Sequence, residues 1–153
     1  MKKIQIALLG FGTVGSGVAE TIKRNSRMME EELDCQLEIT HVLVRHPDKY
    51  KNLDILQGVD VTDSFDHIIN DPDVGIVVEV MGGIHPAKEY IFDALNHQKN
   101  VVSANKDLVA LFGPEIMNTA VANKVNFSCE ASVGGGIPIL RPLHDSLAAN
   151  EIE

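Results

Sequence analysis

A glycine-rich motif, Gly10-Phe11-Gly12-Thr13-Val14-Gly15, directly follows an apolar run near the start of this 153-residue chain. In a G-x-G-x-x-G motif the first glycine permits a tight turn, the second lets backbone approach a pyrophosphate, and the third permits close helix packing. The residues that follow have helical spacing, and the N-terminus of a helix offers unpaired N–H groups to phosphates. A turn that merely connects a strand to a helix is the alternative, and this context disfavours it. The motif therefore predicts a dinucleotide site.

Runs rich in Val, Ile and Leu alternate with helical stretches along the chain, which is typical of βα units around a parallel sheet. The predicted strands are Ile4–Leu9, Leu37–Val44, Val59–Thr62, Gly75–Val80, Asn100–Ser103 and Val125–Cys129. The predicted helices are Thr13–Leu33, Ser64–Asn70, Pro86–Asn96, Pro114–Asn123 and Pro138–Leu147, three of which begin at a proline because proline suits a first helical turn. The pattern predicts an α/β fold of Rossmann type, a single domain with a doubly wound, mainly parallel sheet.

Composition excludes several classes of partner. A net charge of -9 disfavours nucleic acid, because phosphate contacts need a concentrated basic surface. No apolar run approaches the roughly 20 residues that cross a bilayer, so no membrane partner is expected. The two cysteines, Cys35 and Cys129, lie too far apart in sequence to suggest a disulfide framework or a metal pair, and they fit a reducing cytoplasm.

The end of the second predicted strand carries Arg45, at the position where dinucleotide-binding domains usually place an acid that accepts from the ribose hydroxyls. A guanidinium cannot accept, but it suits a 2′-phosphate through paired charge-assisted bonds. Arg45 therefore favours NADP over NAD, with Lys49 or Lys51 as a further contact. The alternative is a solvated arginine that at most stacks on the adenine.

Two further segments reach the same carboxyl edge of the predicted sheet, where ligands of open α/β folds bind. Gly82 and Gly83 follow the fourth strand and would let backbone lie close to the ribose or nicotinamide; the alternative is a tight loop that merely needs glycine conformations. Ser103 ends the fifth strand and Lys106 follows it. The Lys106 ammonium would point into the cofactor crevice, where it can bind a substrate oxygen or move a proton. Most lysines are surface charges, and only the position of Lys106 favours a functional role.

The segment Cys129-Glu130-Ala131-Ser132-Val133-Gly134-Gly135-Gly136-Ile137-Pro138 is a glycine-rich turn that contains one acid. Such a loop can aim carbonyl oxygens and a carboxylate at a hard cation. It could equally be a hinge between domains, and its spacing does not separate the two interpretations.

Four segments together resemble homoserine dehydrogenase: IALLGFGTVGSGV, VVEVMGG, SANKDLVA and CEASVGGGIPIL. The resemblance implies a homo-oligomeric enzyme that interconverts L-homoserine and L-aspartate 4-semialdehyde with NAD(P)H, on the branch to threonine and methionine. It implies that Arg45 meets the 2′-phosphate and that Lys106 lies beside nicotinamide and substrate. It also implies a monovalent-cation site, typically sodium, formed by Glu130 with backbone oxygens of Val133, Gly135 and Ile137.

The resemblance further implies a substrate and dimerisation domain, which supplies an aspartate and a second lysine. We expect residues 1–137 to form the dinucleotide-binding domain, and residues 138–153 to form a connecting helix and the start of that missing domain, so that this chain binds cofactor but is inactive. Two alternatives remain. A nucleotide-sensing regulatory module usually carries an acid where this chain has Arg45, and a sugar-type oxidoreductase commonly has Glu-Lys-Pro where this chain has Asn105-Lys106-Asp107.

Overall fold

The computed structural model describes residues 2–146. Within that range the strands are β1 (Lys2–Leu9), β2 (Cys35–Leu43), β3 (Asp60–Thr62), β4 (Val74–Glu79), β5 (Asn100–Ser103) and β6 (Phe127–Ser128). The helices are α1 (Thr13–Leu33), α2 (Phe65–Ile69), α3 (Ala87–Asn96), α4 (Lys106–Asn123) and α5 (Leu140–Ser146). Short 3-10 turns cover Pro47–Lys49, Asp54–Leu56 and Glu130–Ser132, and the sequence patterns did not predict them.

The strands form one sheet in the order β3-β2-β1-β4-β5-β6, and every neighbouring pair is parallel. This order confirms the predicted doubly wound Rossmann fold. From β1 the chain first adds β2 and β3 on one side of the sheet, and it then adds β4, β5 and β6 on the other side. The direction of winding therefore reverses at the boundary between β1 and β4. A crevice opens at such a boundary, outside the carboxyl ends of the strands.

The core lies on both faces of the sheet, because alternate residues of a strand point to opposite sides. Ile6 and Leu8 of β1 pack in the cluster on one face, which also contains Ala19 of α1. Ala7 and Leu9 pack in the cluster on the other face, which contains residues of α2, α3 and α4. All four β1 side chains are 3% exposed or less. Burial on both faces explains why the strand sequences are nearly continuous apolar runs.

The prediction that a helix begins at Pro114 was wrong, because α4 begins at Lys106 and Pro114 lies inside it. The true start is set by Asn105, whose side-chain Oδ1 accepts a hydrogen bond from the backbone N–H of Leu108 at 3.2 Å. The helix predicted from Pro138 begins instead at Leu140. The sequence also predicts the first residues of a strand at 151–153, and these lie outside the described residues. None of the helices in the described part of the chain is long and apolar enough to cross a membrane.

Candidate dinucleotide-binding site

The glycine motif forms the turn between β1 and α1, and two of its glycines are required by the packing of this turn. Gly10 has a φ of +102°, and a Cβ added there would lie 3.0 Å from the carbonyl oxygen of Val80. A Cβ added at Gly15 would overlap the carbonyl oxygen of Gly10 and lie 3.0 Å from its carbonyl carbon. These contacts bring the first turn of α1 directly against the end of β1, as the sequence motif predicts.

The second glycine has a different environment, because a Cβ added at Gly12 would have no atom within 4 Å. Gly12 is the N-cap of α1 and provides no side-chain hydrogen bond to it. Thr13 and Val14, the first helical residues, are exposed. The N-terminus of α1 therefore faces open space with free N–H groups and a positive dipole end, an arrangement that fits a pyrophosphate.

A cleft of about 370 Å³ lies beside this turn, at the carboxyl ends of β1, β2 and β4. Its walls include Gly10, Arg45, Lys49, Tyr50, Met81 and Gly82. The Tyr50 ring packs edge-on against the buried Phe11 ring, with centroids 5.8 Å apart. The structure thus brings the predicted residues Gly10, Phe11, Arg45 and Gly82 together around one cavity.

The two lysines proposed as partners of Arg45 have different surroundings. Lys49 lines the cleft. Lys51 does not line it and forms an ion pair with Asp48, with Nζ 2.7 Å from Oδ1. This hydrogen bond raises the pKa of Lys51 and lowers the pKa of Asp48. Lys49 is therefore the lysine available to a ligand in the cleft.

The loop after β4 is held by Glu79, a residue that the sequence patterns did not single out. Its carboxylate is fully buried, and Oε1 accepts from the backbone N–H of Met81 at 2.9 Å and of Gly82 at 3.4 Å. The other oxygen accepts from the hydroxyl of Ser103 at 2.6 Å. Gly82 and Gly83 have φ values of +73° and +75°, which glycine adopts without strain.

The predicted cofactor residue Ser103 is itself fully buried, and its hydroxyl is engaged with Glu79. Glu79 and Ser103 occupy paired positions at the ends of β4 and β5. That register was a usable signal, because Ser103 ends one predicted strand and Glu79 is the penultimate residue of another. The Ser103 side chain therefore supports the loops, and its assignment as a cofactor contact stays a prediction.

Lys106 is exposed and is the first residue of α4, immediately after the N-cap Asn105. A cation at a helix N-terminus is unfavourable, because the helix dipole places partial positive charge there. The position thus gives no benefit to helix stability, and it places Lys106 after the carboxyl end of β5, although Lys106 does not line the cleft. Its predicted catalytic role stays a prediction.

The acid of the glycine-rich turn acts as a helix cap. The Glu130 oxygens accept from the backbone N–H groups of residues 139, 140 and 141, at 2.6, 2.8 and 3.1 Å, at the start of α5. The other predicted cation ligands lie in the exposed loop between: Val133, Gly135 and Ile137. Among the side chains that the structure describes, those of residues 2–143, no cluster of three or more His, Cys, Asp or Glu could hold a metal. The cation site stays a prediction, and its carboxylate already has partners.

The parallel sheet, the tight glycine turn, the open N-terminus of α1 and the adjoining cleft define the class of protein as a dinucleotide-binding Rossmann domain. Residues 10–130 match the family described as "Homoserine dehydrogenase, NAD binding domain". The chain belongs to this family.

Similar proteins agree with this assignment. A homoserine dehydrogenase of Bacillus subtilis is 43% identical over 152 residues, which cover 99% of this chain and 35% of that protein. A crystal structure of a homoserine dehydrogenase from Thiobacillus denitrificans superposes with a TM-score of 0.91 at 39% identity, covering 99% of this chain and 35% of that one. A hyperthermophilic archaeal homoserine dehydrogenase in complex with NADPH gives a TM-score of 0.75 at 26% identity, covering 92% and 48%.

Family membership decides among the interpretations that the sequence left open. It supports the homoserine dehydrogenase resemblance over a nucleotide-sensing module or a sugar-type oxidoreductase. The chain spans about a third of the length of the Bacillus subtilis relative, with 35% of that protein covered. The family therefore establishes an NAD-binding domain, and the reaction of a whole enzyme is a matter for proposal.

Proposed function

We propose that this chain is the cofactor-binding part of an NADP-preferring homoserine dehydrogenase, which interconverts L-homoserine and L-aspartate 4-semialdehyde. The observation that carries the proposal is the open N-terminus of α1 at Gly12, next to a cleft lined by Arg45 and Lys49. A pyrophosphate fits the first feature and a 2′-phosphate fits the second. The relative described in complex with NADPH supports the same cofactor.

Each part of the site has a separate task in this proposal. The backbone N–H groups at Gly12 and Thr13 bind the pyrophosphate, and the Arg45 guanidinium binds the 2′-phosphate through two parallel hydrogen bonds. Bound NADPH supplies a hydride to the aldehyde carbon. The Lys106 ammonium meets the oxygen on which negative charge develops, and stabilisation of that charge lowers the barrier.

Further parts of the proposal rest on the family resemblance. They are a sodium ion near Glu130, a homo-oligomeric assembly in the cytoplasm, and proton-transfer groups supplied by another part of the enzyme. Residues 1–137 form the dinucleotide-binding unit in this proposal, and residues 138–153 lead towards the substrate domain. The purified 153-residue chain is therefore expected to bind NADPH but to oxidise homoserine negligibly. Robust homoserine oxidation by this chain alone would contradict that expectation.

A binding titration tests the cofactor preference. We expect the chain to bind NADPH more tightly than NADH, measured by fluorescence of the reduced nicotinamide. Arg45→Ala should weaken NADPH binding about tenfold, because it removes a charge-assisted contact, and should change NADH binding by less than about twofold. Lys51→Ala is the matched control, since Lys51 pairs with Asp48 outside the cleft. Tighter binding of NADH by the unaltered chain would refute the preference.

A further inference from the structure

A closed ring of hydrogen bonds, whose three side chains are buried, joins the loop after β4 to the start of α4. Glu79 accepts from the N–H of Met81 at 2.9 Å and from the Ser103 hydroxyl at 2.6 Å. The Ser103 oxygen accepts from the backbone N–H of Asn105 at 3.1 Å. The Asn105 side-chain amide then donates to the carbonyl oxygen of Gly83 at 2.6 Å. Residues 81–83 close the ring through the backbone.

The three side-chain residues of the ring are buried although they are polar. Glu79 and Ser103 are 0% exposed, and Asn105 is 6% exposed. A carboxylate without solvent is costly unless its oxygens are well paired, and apolar residues of similar volume often stabilise a fold as well or better. Stability alone is therefore a weak explanation for a carboxylate in this position. Its specific effect is geometric, because it fixes two loops relative to each other.

The position of the ring in the strand order indicates which end of a bound dinucleotide it lies near. The Gly10 turn and Arg45 follow β1 and β2, the half of a Rossmann sheet that binds the adenosine end of a dinucleotide. The ring follows β4 and β5, on the other side of the boundary between β1 and β4. The second mononucleotide, which carries the nicotinamide, binds on that side.

From this geometry we infer that Glu79 and Asn105 are positioning residues that hold the Gly82-Gly83 backbone and Lys106 in one fixed arrangement around the nicotinamide. The inference rests on the proposed function. Asn105 acts in two directions at once, because its Oδ1 caps α4 through the Leu108 N–H while its amide holds Gly83. The start of the helix that carries Lys106 and the loop facing the ligand are thereby set by one side chain.

Hydrogen-bond polarity makes the ring sensitive to substitutions that barely change shape. Asn105→Asp keeps an oxygen that can cap α4, but it replaces the donor to Gly83 with an acceptor and repels that carbonyl. Glu79→Met keeps a similar volume but removes both oxygens, which accept from the loop N–H groups and from the Ser103 hydroxyl. Each variant releases the loop while the apolar core remains unchanged.

The chain contains a matched control at the opposite edge of the same strands. Asn100 donates from its side-chain amide to the carbonyl oxygen of Gly75 at 3.2 Å, and its Oδ1 accepts from the N–H of Asn126 at 3.0 Å. Asn100 of β5 therefore links Gly75 of β4 to Asn126, which precedes β6, at the amino ends of the strands. Asn105 makes a similar link at the carboxyl ends. Asn100→Asp introduces the same chemical change away from the cleft.

The experiment compares two ligands on each variant of the full chain: NADPH, and 2′-phospho-ADP-ribose, which lacks the nicotinamide. For Asn105→Asp we expect NADPH affinity to fall about tenfold and affinity for the shorter ligand to change by less than about twofold. The fluorescence enhancement of bound NADPH should also fall, since the nicotinamide is then held loosely. Asn100→Asp should leave both affinities within about twofold of the unaltered chain. Calorimetry measures both ligands on one scale.

Glu79→Met is the second variant, and it keeps the test decisive if Asn105→Asp does not fold. It should reproduce the selective loss of NADPH affinity. Equal losses for the two ligands, or no loss for either, would overturn the inference and leave the ring a purely structural feature. An unaltered chain that binds the shorter ligand and NADPH equally would also overturn it. Failure of the unaltered chain to bind either ligand would instead refute the proposed function itself.

Discussion

The substitution Gly15→Ala should strongly destabilise the domain, because its Cβ would overlap the carbonyl oxygen of Gly10 and lie 3.4 Å from Val80 Cγ2. Overpacking costs about 1–3 kcal/mol, and a clash with backbone falls at the upper end, so we expect a loss of about 3 kcal/mol. For a chain of this size, each kcal/mol corresponds to about 2–4 °C, so the melting temperature should fall by about 6–12 °C. Thermal unfolding followed by circular dichroism measures this.

Substitutions at two other glycines of the same region test the stability of the chain and its NADPH binding separately. A Cβ at Gly12 or at Gly17 would have no atom within 4 Å. Gly12→Ala should cost less than about 1 kcal/mol as an N-cap change, yet weaken NADPH binding at least about tenfold by filling the pyrophosphate space. Gly17→Ala, inside α1, should stabilise the chain by about 0.5–1 kcal/mol and leave affinity unchanged. An unaltered melting temperature for Gly15→Ala, or unaltered NADPH affinity for Gly12→Ala, would refute this reasoning.

Three further predictions concern α4 and the buried thiol. Pro114→Ala should stabilise the chain by about 1–3 kcal/mol in urea unfolding, because Pro114 lies inside the helix; a loss would support a helix that starts there. Lys106→Gln should stabilise the chain by about 0.3–1 kcal/mol, since it removes a cation from a helix N-terminus; a decrease in urea unfolding would contradict this. Burial raises the pKa of the Cys129 thiol, so at pH 8 iodoacetamide should react at least about tenfold faster with this thiol in the unfolded chain, and the folded rate should rise with pH. Similar rates in both states would contradict burial.

The features that were predictable from sequence are those whose information is local. The strand, the glycine motif and the helix lie within a few residues of one another, and the third glycine packs on the first. The strands were equally predictable, because a strand buried on both faces must be apolar at successive positions. The choice between Lys49 and Lys51, which the sequence left open, depends on a contact seen only in the structure, the ion pair between Asp48 and Lys51.

The features that were missed depend on pairing between distant segments or on competing local signals. Glu79 and Ser103 are 24 residues apart, and only the β4–β5 register makes their hydrogen bond visible. At the start of α4, two helix signals competed. Pro114 is typical of a first turn, but Asn105 provides an actual cap, and favourable packing of Leu108 and Ile116 in the core outweighs the cost of an internal proline.

The central position of β1 has a consequence for the order in which this molecule assembles. Leu9 pairs with Leu43 of β2 on one side and with Glu79 of β4 on the other, so the second pairing closes a much longer loop of chain. Because closing the longer loop costs more entropy, we expect β1 to pair with β2 before it pairs with β4, which leaves one edge of β1 unpaired in the meantime. The wall of the cleft that contains Arg45 follows β2 and so forms with the first pairing. The wall that contains Met81 follows β4 and so forms with the second pairing. A ligand that contacts both walls resists separation of β1 from β4 and preferentially stabilises the completed sheet.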